Sequence, residues 1–313
     1  PSFRPRPAGQ LHEVTEADGT AHKVTLRLTD QEPVRAYIYR TSKHLQKIMQ
    51  EQATEMVRLG VASWCEWSPY ASPCLPVPKP DGSWRLTTDF RQLNKKMLQY
   101  NCPAMTEHDL WSCLHGCTRF SKYDFSKFFW QFPLDDASKK CTAFVVPGMG
   151  TLCYNRLPMG VTCAPAIAQA FVNKIFRIPY DGPGPMHGKM ALGNICVAFI
   201  DDLLAFGCDK YLAHYDAFII RTLAKHNVGV NPKKCAIGQK RLSFVGHFLD
   251  AKGLHVDHEK TAAVREMPYP RTKTGIRRFL GMAGYLRRFI PEYGQQTTQL
   301  TDLLSDRQTF DEG

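Results

Sequence analysis

Two adjacent aspartates, Asp201 and Asp202, interrupt an apolar segment and constrain the fold of this chain more than any other feature. Apolar residues 197–200 precede the pair, and apolar residues 203–206 follow it. Each run has the length of a short buried strand, and Asp is disfavoured inside strands but tolerated in turns. The pattern therefore predicts a tight hairpin with Asp201 and Asp202 at its tip.

The chemistry of this hairpin depends on what neutralises its two carboxylates. Neighbouring like charges repel, and a divalent cation such as Mg²⁺ would relieve the repulsion because hard cations prefer carboxylate oxygens. An isolated Asp-Asp pair is more often an ordinary solvated turn. Asp124, a third carboxylate at the end of a predicted strand, favours the metal site, with helix capping as its alternative role.

Composition and charge indicate a globular chain with a polyanionic partner. Of the 313 residues 43% are hydrophobic, and 40 Lys and Arg against 29 Asp and Glu give a formal net charge of +11. This content suffices for a buried core, and the charge makes nucleic acid the expected partner. A basic chain that is merely soluble is the alternative.

Location and processing are predicted from the absence of targeting signals in the sequence. No apolar run approaches the roughly 18 residues of a membrane span, so no membrane partner is expected. The N-terminal residues lack the apolar core of a signal peptide, and 11 cysteines without a C-x-x-C pair fit a reducing, intracellular compartment. Because the chain starts at Pro1 rather than Met, we expect that it is processed or excised from a longer polypeptide.

Periodicity and turn residues predict a helix and then a cationic hairpin in the N-terminal half. Apolar residues at helical spacing predict a helix from Ser42 to Leu59 that stops at Gly60. Pro80-Asp81-Gly82 predicts the turn of a hairpin that carries Lys79 and Arg85 on facing strands. Arg and Lys side chains here could clamp a triphosphate, and solvated strand charges are the alternative.

The elements around the aspartates predict a two-layer domain of the α+β class. A helix over Thr106–His115 precedes a strand that ends at Asp124, and a second hairpin spans residues 141–156. Helices are predicted to begin at Pro165 and to span Leu212–His226. This order of strands and helices is typical of an antiparallel sheet backed by helices.

The C-terminal part is predicted to add a strand pair and a basic helix. Residues 233–235 and 242–249 would form the pair, and the chain would be helical from His258 onward except at Pro268 and Pro270. A helix over residues 274–290 would present a cationic face that could follow a phosphate backbone, with a solvated face as the alternative. The cations of that face are Arg277, Arg278, Arg287 and Arg288.

Eight motifs, in one order, resemble the reverse transcriptases of LTR retrotransposons and retroviruses, most of all those of Gypsy-type elements. Each motif is weak alone, but together they cover the chain from about residue 22 to its end. The motifs are Ser68–Pro73, Asp81–Arg85, Asp89–Asn94, Phe120–Asp124, Leu157–Gly160, Phe199–Asp202, Phe244–His247 and Arg278–Gly281.

The resemblance implies a right-hand polymerase fold with fingers, palm and a helical thumb. A flexible lead-in would occupy residues 1–24, and the thumb with the start of the connection would occupy residues 252–313. The fingers would come from residues 25–101 and 132–163, and the palm from residues 102–131 and 164–251. A ribonuclease H domain is not expected in this chain.

The resemblance also implies a function, an RNA- and DNA-directed DNA polymerase that extends a primer by two-metal-ion nucleotidyl transfer. Asp124, Asp201 and Asp202 would be catalytic and would hold two Mg²⁺ or Mn²⁺ ions about 3.5–4 Å apart. The implied partners are deoxynucleoside triphosphates and an RNA/DNA or DNA/DNA primer-template duplex. The implied location is the cytoplasm or a virus-like particle.

Further residue roles follow from the same resemblance. Lys79, Arg85, Phe129 and Met159 would contact the incoming nucleotide, with Phe129 excluding a ribose 2′-hydroxyl. Val245, Gly246 and His247 match the primer grip of the family. The position of Lys234 in the sequence is close to that of a basic residue of the family for which a general-acid role has been suggested.

Departures from the family pattern leave alternatives open. Cys163 stands where Gypsy-type elements usually have Asn, and the loop 178–194 is longer than usual. One alternative is a non-catalytic nucleic-acid-binding subunit in a dimer with a chain that carries ribonuclease H. Another is an RNA-templated RNA polymerase, against which Phe129 argues.

Overall fold

The chain folds into two compact units, Pro1–Gln239 and Lys240–Gly313. A computed structural model describes residues 11–35, 37–102, 111–256 and 258–305, without the side chains of residues 258–260. The helix predicted over Thr106–His115 lies largely outside the described residues, of which 111–113 are helical. The subdomain boundaries stay predictions, although the predicted palm segment 164–251 extends across the division between the two units.

Helices and strands alternate through the first unit. Its described helices are α1 Lys43–Arg58, α2 Arg91–Lys96, α3 Asp136–Cys141, α4 Ala164–Phe176 and α5 Leu212–Lys225. Its described strands are β1 Ala62–Trp64, β2 Ser72–Pro78, β3 Trp84–Thr88, β4 Arg119–Asp124, β5 Phe144–Val146, β6 Gly150–Tyr154, β7 Cys196–Phe199, β8 Asp202–Gly207 and β9 Ala236–Gln239.

Local sequence signals account for the predicted helix α1. The Ser42 side chain accepts a hydrogen bond from the Leu45 amide, which satisfies one of the free donors of the first turn. Met49, Ala53 and Met56 recur at helical spacing and are buried. Gly60 follows with a φ of +70°, a conformation that glycine adopts at little cost, so the predicted helix and its stop are confirmed.

A five-stranded sheet, in the order β1-β6-β5-β2-β3, carries the cationic hairpin. Strands β2 and β3 pair antiparallel from Cys74–Thr88 to Pro78–Trp84, as the turn residues predict. Proline lacks an amide donor and is tolerated mainly where a ladder bond is not needed; β2 pairs with β5 only at Ser72 and Pro73, so Pro76 and Pro78 lie beyond that pairing. Strand β3 lies at the edge of this sheet.

A four-stranded antiparallel sheet, in the order β7-β8-β4-β9, carries the aspartates. Its central strands are buried, with Leu203, Leu204 and Ala205 fully inaccessible to solvent. Helices α4 and α5 supply apolar residues to the same hydrophobic core. The combination of helices with mostly antiparallel strands confirms the predicted α+β class.

The structure corrects two predictions in the first unit. Residues 11–24, predicted as a flexible lead-in, pack against the core where they are described: Val14 is fully buried and its amide donates to the Gln131 carbonyl. The predicted pairing of residues 233–235 with 242–249 is wrong. Residues 236–239 form β9 and pair with β4, because Asn231 and the two lysines after it occupy a turn that delivers the chain to that edge.

The long loop 178–194 is irregular, as predicted, but it is anchored. Pro179 and Met190 form a single antiparallel bridge across it. Tyr180 is fully buried and packs edge-on against Tyr215 and Phe218 of α5, with ring centroids 5.1 and 5.3 Å away. This packing ties the loop to the helical layer of the first unit.

The second unit combines a small sheet with helices. Its strands β10 Leu242–Phe244, β11 His247–Asp250 and β12 Gly253–Val256 pair antiparallel in that order. Its described helices are α6 His258–Arg265, α7 Lys273–Tyr285 and α8 Tyr293–Asp302. The predicted break around Pro268 and Pro270 is confirmed, and no described helix is both long and apolar enough to cross a membrane.

The basic helix predicted over residues 274–290 is shorter than expected. Helix α7 ends at Tyr285, and Arg287 and Arg288 lie in a separate 3₁₀ turn that reaches Phe289. Pro291 disfavours a helical conformation in the residue before it, and Ile290 is extended, with a φ of −109° and a ψ of 108°. Arg277 and Arg278 therefore share α7, whereas Arg287 and Arg288 do not.

Candidate active site

The three aspartates of the first unit lie at one edge of the β7-β8-β4-β9 sheet. Asp202 is the first residue of β8 and pairs with Phe199 on one side and with Asp124 on the other. Directly opposite residues of an antiparallel pair have Cβ atoms about 4.5–5.5 Å apart. Asp201 occupies the turn, and its carbonyl accepts from the Phe125 amide at 3.0 Å. The predicted hairpin is confirmed and Asp201 lies in its turn, but Asp202, predicted at the tip, is the first residue of the second strand because it pairs with both neighbouring strands.

A helix side chain fixes the turn of this hairpin. Ile200 has a φ of +54°, which is unusual for a β-branched residue. Its amide donates to Gln169 Oε1 at 2.8 Å, and Gln169 Nε2 donates to the Ala198 carbonyl at 3.1 Å. Gln169 belongs to α4 and is 7% exposed, and it bonds one outward-facing carbonyl of edge strand β7 and the amide of the turn residue that follows the strand. Sequence reasoning missed this residue.

The electrostatics of the site couple the three carboxylates. Burial raises the pKa of Asp202, and the charges of Asp201 and Asp124 raise it further. Lys122 opposes this shift, with its Nζ 2.8 Å from Asp202 Oδ2. Lys234 Nζ lies 3.8 Å from Asp124 Oδ2 and is largely exposed. Each lysine therefore faces a different aspartate.

The donor set suits a hard divalent cation, although the side chains do not form a closed cage. Within the described ranges, no group of three or more His, Cys, Asp and Glu side chains is arranged to hold a metal ion. Asp202 is instead engaged by Lys122. Carboxylate oxygens at adjacent positions are nevertheless the ligands that Mg²⁺ and Mn²⁺ prefer.

The opposite face of β4 is anchored to helix α5. Asp216, which is 7% exposed, accepts hydrogen bonds from Ser121 Oγ at 2.9 Å and from the Tyr123 hydroxyl at 2.8 Å. Ser121 Oγ in turn accepts from the Gly238 amide of β9 at 2.9 Å. Burial raises the pKa of Asp216, and the two hydroxyl donors lower it. This network holds the strand that carries Asp124.

A cationic cavity of about 500 Å³ lies beside strand β3 of the β2–β3 hairpin. Three of the four residues predicted to contact nucleotide line it, namely Lys79, Arg85 and Met159. Lys127 and Trp130, which sequence reasoning missed, also line it, and Lys127 Nζ lies 5.5 Å from the Trp130 ring centroid. Their position three and six residues after Asp124 was the available signal.

Phe129, the fourth of these predicted residues, is not part of the cavity lining. It lies in the 3₁₀ turn Phe128–Gln131 and is partly buried against the hydrophobic core. Its ring centroid is 6.2 Å from that of Phe128. The role of Phe129 in sugar choice stays a prediction.

Gln52 of α1 clamps the strand that carries Arg85. Its Nε2 donates to the Trp84 carbonyl at 2.7 Å, and its Oε1 accepts from the Leu86 amide at 2.6 Å. These bonds bracket Arg85 and satisfy the outer groups of edge strand β3. The guanidinium of Arg85 is exposed and projects from a fixed backbone.

Asn94 supplies the hydrogen bonds of the turn after Met159. Its Nδ2 donates to the Gly160 carbonyl at 2.9 Å, and its Oδ1 accepts from the Thr162 amide at 3.0 Å. Cys163, where the family pattern usually has Asn, is buried beside the Met97 sulfur at 3.6 Å. The turn is therefore stabilised from α2 rather than by the side chain at position 163.

In the second unit, the predicted primer-grip residues form a tight turn between β10 and β11. Val245 and Gly246 both have positive φ values, +48° and +75°, as a type I′ hairpin turn requires. The Tyr285 hydroxyl donates to the carbonyls of both residues at 3.3 Å, and the Tyr285 ring stacks on buried His247. Tyr285 thus holds the turn through its hydroxyl and its ring, and the contact of the turn with a primer stays a prediction.

The four arginines predicted to contact a phosphate backbone are exposed, and their role also stays a prediction. They are Arg277, Arg278, Arg287 and Arg288.

Comparisons with known proteins agree on one family. Residues 77–283 match the sequence pattern of the family described as "Reverse transcriptase (RNA-dependent DNA polymerase)". The retrovirus-related Pol polyprotein from transposon opus of Drosophila melanogaster is 30% identical over 291 residues, 91% of this chain and 28% of that protein. The corresponding polyprotein from transposon gypsy is 27% identical over 293 residues, which are 91% of this chain and 27% of that protein. The chain thus spans about a quarter of the curated relatives it matches.

The fold also has solved counterparts. The foamy viral protease-reverse transcriptase in complex with double-stranded DNA superimposes with a TM-score of 0.78 at 22% identity, over 96% of this chain and 50% of that chain. A second structure, of the foamy viral enzyme with an RNA/DNA hybrid, gives a TM-score of 0.75 at 21% identity, over 96% of this chain and 38% of that chain. These matches confirm the predicted polymerase-like fold.

Proposed function

Because the chain belongs to the reverse transcriptase (RNA-dependent DNA polymerase) family, we propose that it copies a primed RNA or DNA template into DNA. The observation that carries the proposal is the placement of three aspartates from two distant chain segments at one sheet edge. Nucleotidyl transfer needs concentrated negative charge of this kind to hold the cations that polarise phosphate oxygens.

The aspartates would bind two divalent cations. Asp124 and Asp201 are the principal ligands in this proposal, and Asp202 supports them from the start of β8. Bound Mg²⁺ or Mn²⁺ supplies Lewis-acid polarisation and a lowered pKa for the primer 3′-hydroxyl. The chain itself contributes position, since Gln169 fixes the turn and Asp216 fixes the strand opposite it.

The cationic cavity would hold the triphosphate of an incoming deoxynucleotide. Arg85 offers a planar fork that matches phosphate oxygens, and Lys79 and Lys127 add point charges. Glu55 also lines the cavity, but Arg58 pairs with it at 2.6 Å and lowers its pKa. The net charge of the cavity therefore favours a polyanion.

A primer-template duplex would be the second substrate. The chain carries a formal net charge of +11, and nucleic-acid affinity rises with the number of phosphates neutralised. The foamy viral relatives were solved with double-stranded DNA and with an RNA/DNA hybrid, which supports a duplex partner for this chain. The turn at Val245–Gly246 and the arginine pair Arg277 and Arg278 are the contacts proposed in the second unit.

Primer extension tests the proposal directly. Purified chain is incubated with Mg²⁺ or Mn²⁺, the four deoxynucleotides and a labelled primer on an RNA or a DNA template. We expect extension on both templates and none with the double variant Asp124→Asn/Asp201→Asn. Tight duplex binding without extension by the wild-type chain would favour the alternative, a non-catalytic subunit that needs a partner chain.

A further inference from the structure

Lys122 faces the same side of β4 as Asp124, two residues before it. In the register of β4 with β8, Lys122 lies opposite Leu204 and Asp124 lies opposite Asp202. Lys122 and Asp202 are therefore diagonal neighbours on one face of the sheet, a separation of about 7–8 Å that a long side chain can span. The Lys122 ammonium reaches Asp202 Oδ2 at 2.8 Å.

This ion pair is more enclosed than the other lysine contact of the site. The side chains of Lys122 and Asp202 are 24% and 21% exposed, so solvent screens their attraction only in part. Lys234, by contrast, is 68% exposed and stands 3.8 Å from Asp124. Asp201 is exposed in the turn. Of the two lysine contacts, the one at Asp202 is therefore both shorter and less exposed on the lysine side.

We propose that Lys122 is a positioning residue whose ammonium group competes with divalent cations for the Asp202 carboxylate. The inference rests on the proposed function and deepens it. A second positive charge beside Asp202 repels a divalent cation, so the ammonium must withdraw or the cation must bind less tightly.

A metal titration without nucleotide or nucleic acid tests the competition. Mn²⁺ binding to wild type and to Lys122→Met is measured by isothermal titration calorimetry. We expect Lys122→Met to bind Mn²⁺ about 5-fold more tightly, the order expected for loss of one partly exposed ion pair. Lys122→Arg, which keeps the charge, should bind like wild type. Unchanged or weaker Mn²⁺ binding by Lys122→Met would overturn the proposal.

Lys139→Met is the matched control. Lys139 makes an i,i+3 pair with Asp136 at 2.7 Å on α3, so the substitution removes the same charge and an ion pair of the same length, but one whose aspartate is exposed. Its Mn²⁺ affinity should equal that of wild type. If it rises as much as that of Lys122→Met, the effect is one of overall charge and the proposal fails.

Thermal unfolding gives a readout that does not depend on activity. Without Lys122 the carboxylates repel each other, so Lys122→Met should melt below wild type in the absence of divalent ions. Mn²⁺ should then raise its Tm by more than it raises that of wild type. Lys122→Gln serves the same purpose if Lys122→Met does not fold. Equal Mn²⁺-induced shifts in the variant and wild type contradict the competition.

The outcomes separate this inference from the proposed function. A wild type that extends primers, with Lys122→Met binding Mn²⁺ no more tightly, removes only the role of Lys122. A wild type that neither extends primers nor loses Mn²⁺ affinity on Asp124→Asn removes the proposed function and this inference with it.

Discussion

Two hairpins of the first unit are built alike but carry opposite charges. In each, a helix glutamine spans the edge strand with one donated and one accepted backbone hydrogen bond: Gln52 on β3 and Gln169 on β7. The β7–β8 hairpin presents aspartates and is largely buried, whereas the β2–β3 hairpin presents cations at an exposed tip. In both hairpins the glutamine thereby gives hydrogen-bond partners to backbone groups that the sheet itself leaves unpaired.

The two hairpins differ in the burial of their charged side chains and in whether a counter-ion lies beside them. Asp202 is partly enclosed, and its charge is opposed by Lys122 within the same sheet face. Arg85 and Lys79 extend toward a solvent-open cavity and need no internal counter-ion. Charge at the buried edge therefore depends on register, since a shift of one residue would turn Asp124 and Lys122 to the other face.

The largest expected effect is at the buried hairpin. Asp201→Asn should lower kcat for primer extension at least about 100-fold, the order for losing one preorganised electrostatic group. Duplex affinity should stay within about 2-fold, because the turn geometry depends on backbone groups and Gln169. Single-turnover extension and a filter-binding titration measure the two quantities. Retention of more than a tenth of wild-type activity would exclude Asp201 from catalysis.

The exposed hairpin should respond in substrate affinity instead. Arg85→Ala should raise the KM for deoxynucleotides at least about 10-fold, since a hydrogen bond to a charged partner contributes roughly 1.5–3 kcal/mol. Its Tm should not change, because the Arg85 side chain is exposed. Lys47→Ala, an exposed change on α1, is the control for net charge. An equal rise in KM for both variants would count against a specific phosphate contact.

Phe129 tests whether the turn after Asp124 belongs to the core or to nucleotide selection. If Phe129 is a core residue, Phe129→Val should lower the free energy of unfolding by roughly 1–3 kcal/mol and reduce all activity alike. If Phe129 excludes the ribose 2′-hydroxyl, the same variant should raise ribonucleotide incorporation relative to deoxynucleotide incorporation about 10-fold. The ratio of kcat/KM for a matched deoxynucleotide and ribonucleotide distinguishes the two roles. An unchanged ratio removes Phe129 from sugar choice and reopens the RNA-polymerase alternative.

The two glutamine clamps allow a matched pair of variants. Gln169→Met leaves buried backbone groups at Ala198 and Ile200 without partners, which should cost about 1–3 kcal/mol of unfolding free energy. Gln52→Met should cost less, because Gln52 is only half-buried and water can reach the edge of β3. Urea denaturation of both variants measures the difference. Equal losses would mean that burial does not distinguish the two hairpins.

The smallest expected effect is a pH dependence from Asp216. Burial raises its pKa in the folded chain, so the folded state binds its proton more tightly than the unfolded state does. Its contribution to the free energy of unfolding should therefore fall as pH rises from the ordinary Asp range, about 3.9, through the raised folded pKa. The free energy of unfolding of Asp216→Asn, measured by urea denaturation between pH 4 and 7, should not show this decline. A parallel pH profile for both proteins would show that Asp216 does not titrate in this window.

Local structure was predictable where short-range chemistry decides it. The turn at Pro80-Asp81-Gly82, the cap at Ser42 and the break between apolar runs at Asp201 each need only a few neighbouring residues. The proximity of Asp124 to Asp201 and Asp202 was predicted from the family resemblance of the motifs. The partner of β9 was not predictable, because strand pairing joins residues more than a hundred positions apart.

The amino-acid sequence by itself determined the α+β class, the two hairpins and the three aspartates, because hydrophobic periodicity and turn-forming residues depend only on neighbours in the chain. Only the tertiary structure decided which side chains contact those aspartates or fix their backbone. The Lys122–Asp202 ion pair, the Gln169 clamp and the position of Lys127 in the cavity join distant segments. A buried polar group must find a partner wherever packing provides one, and that choice is made by the folded backbone rather than by local sequence.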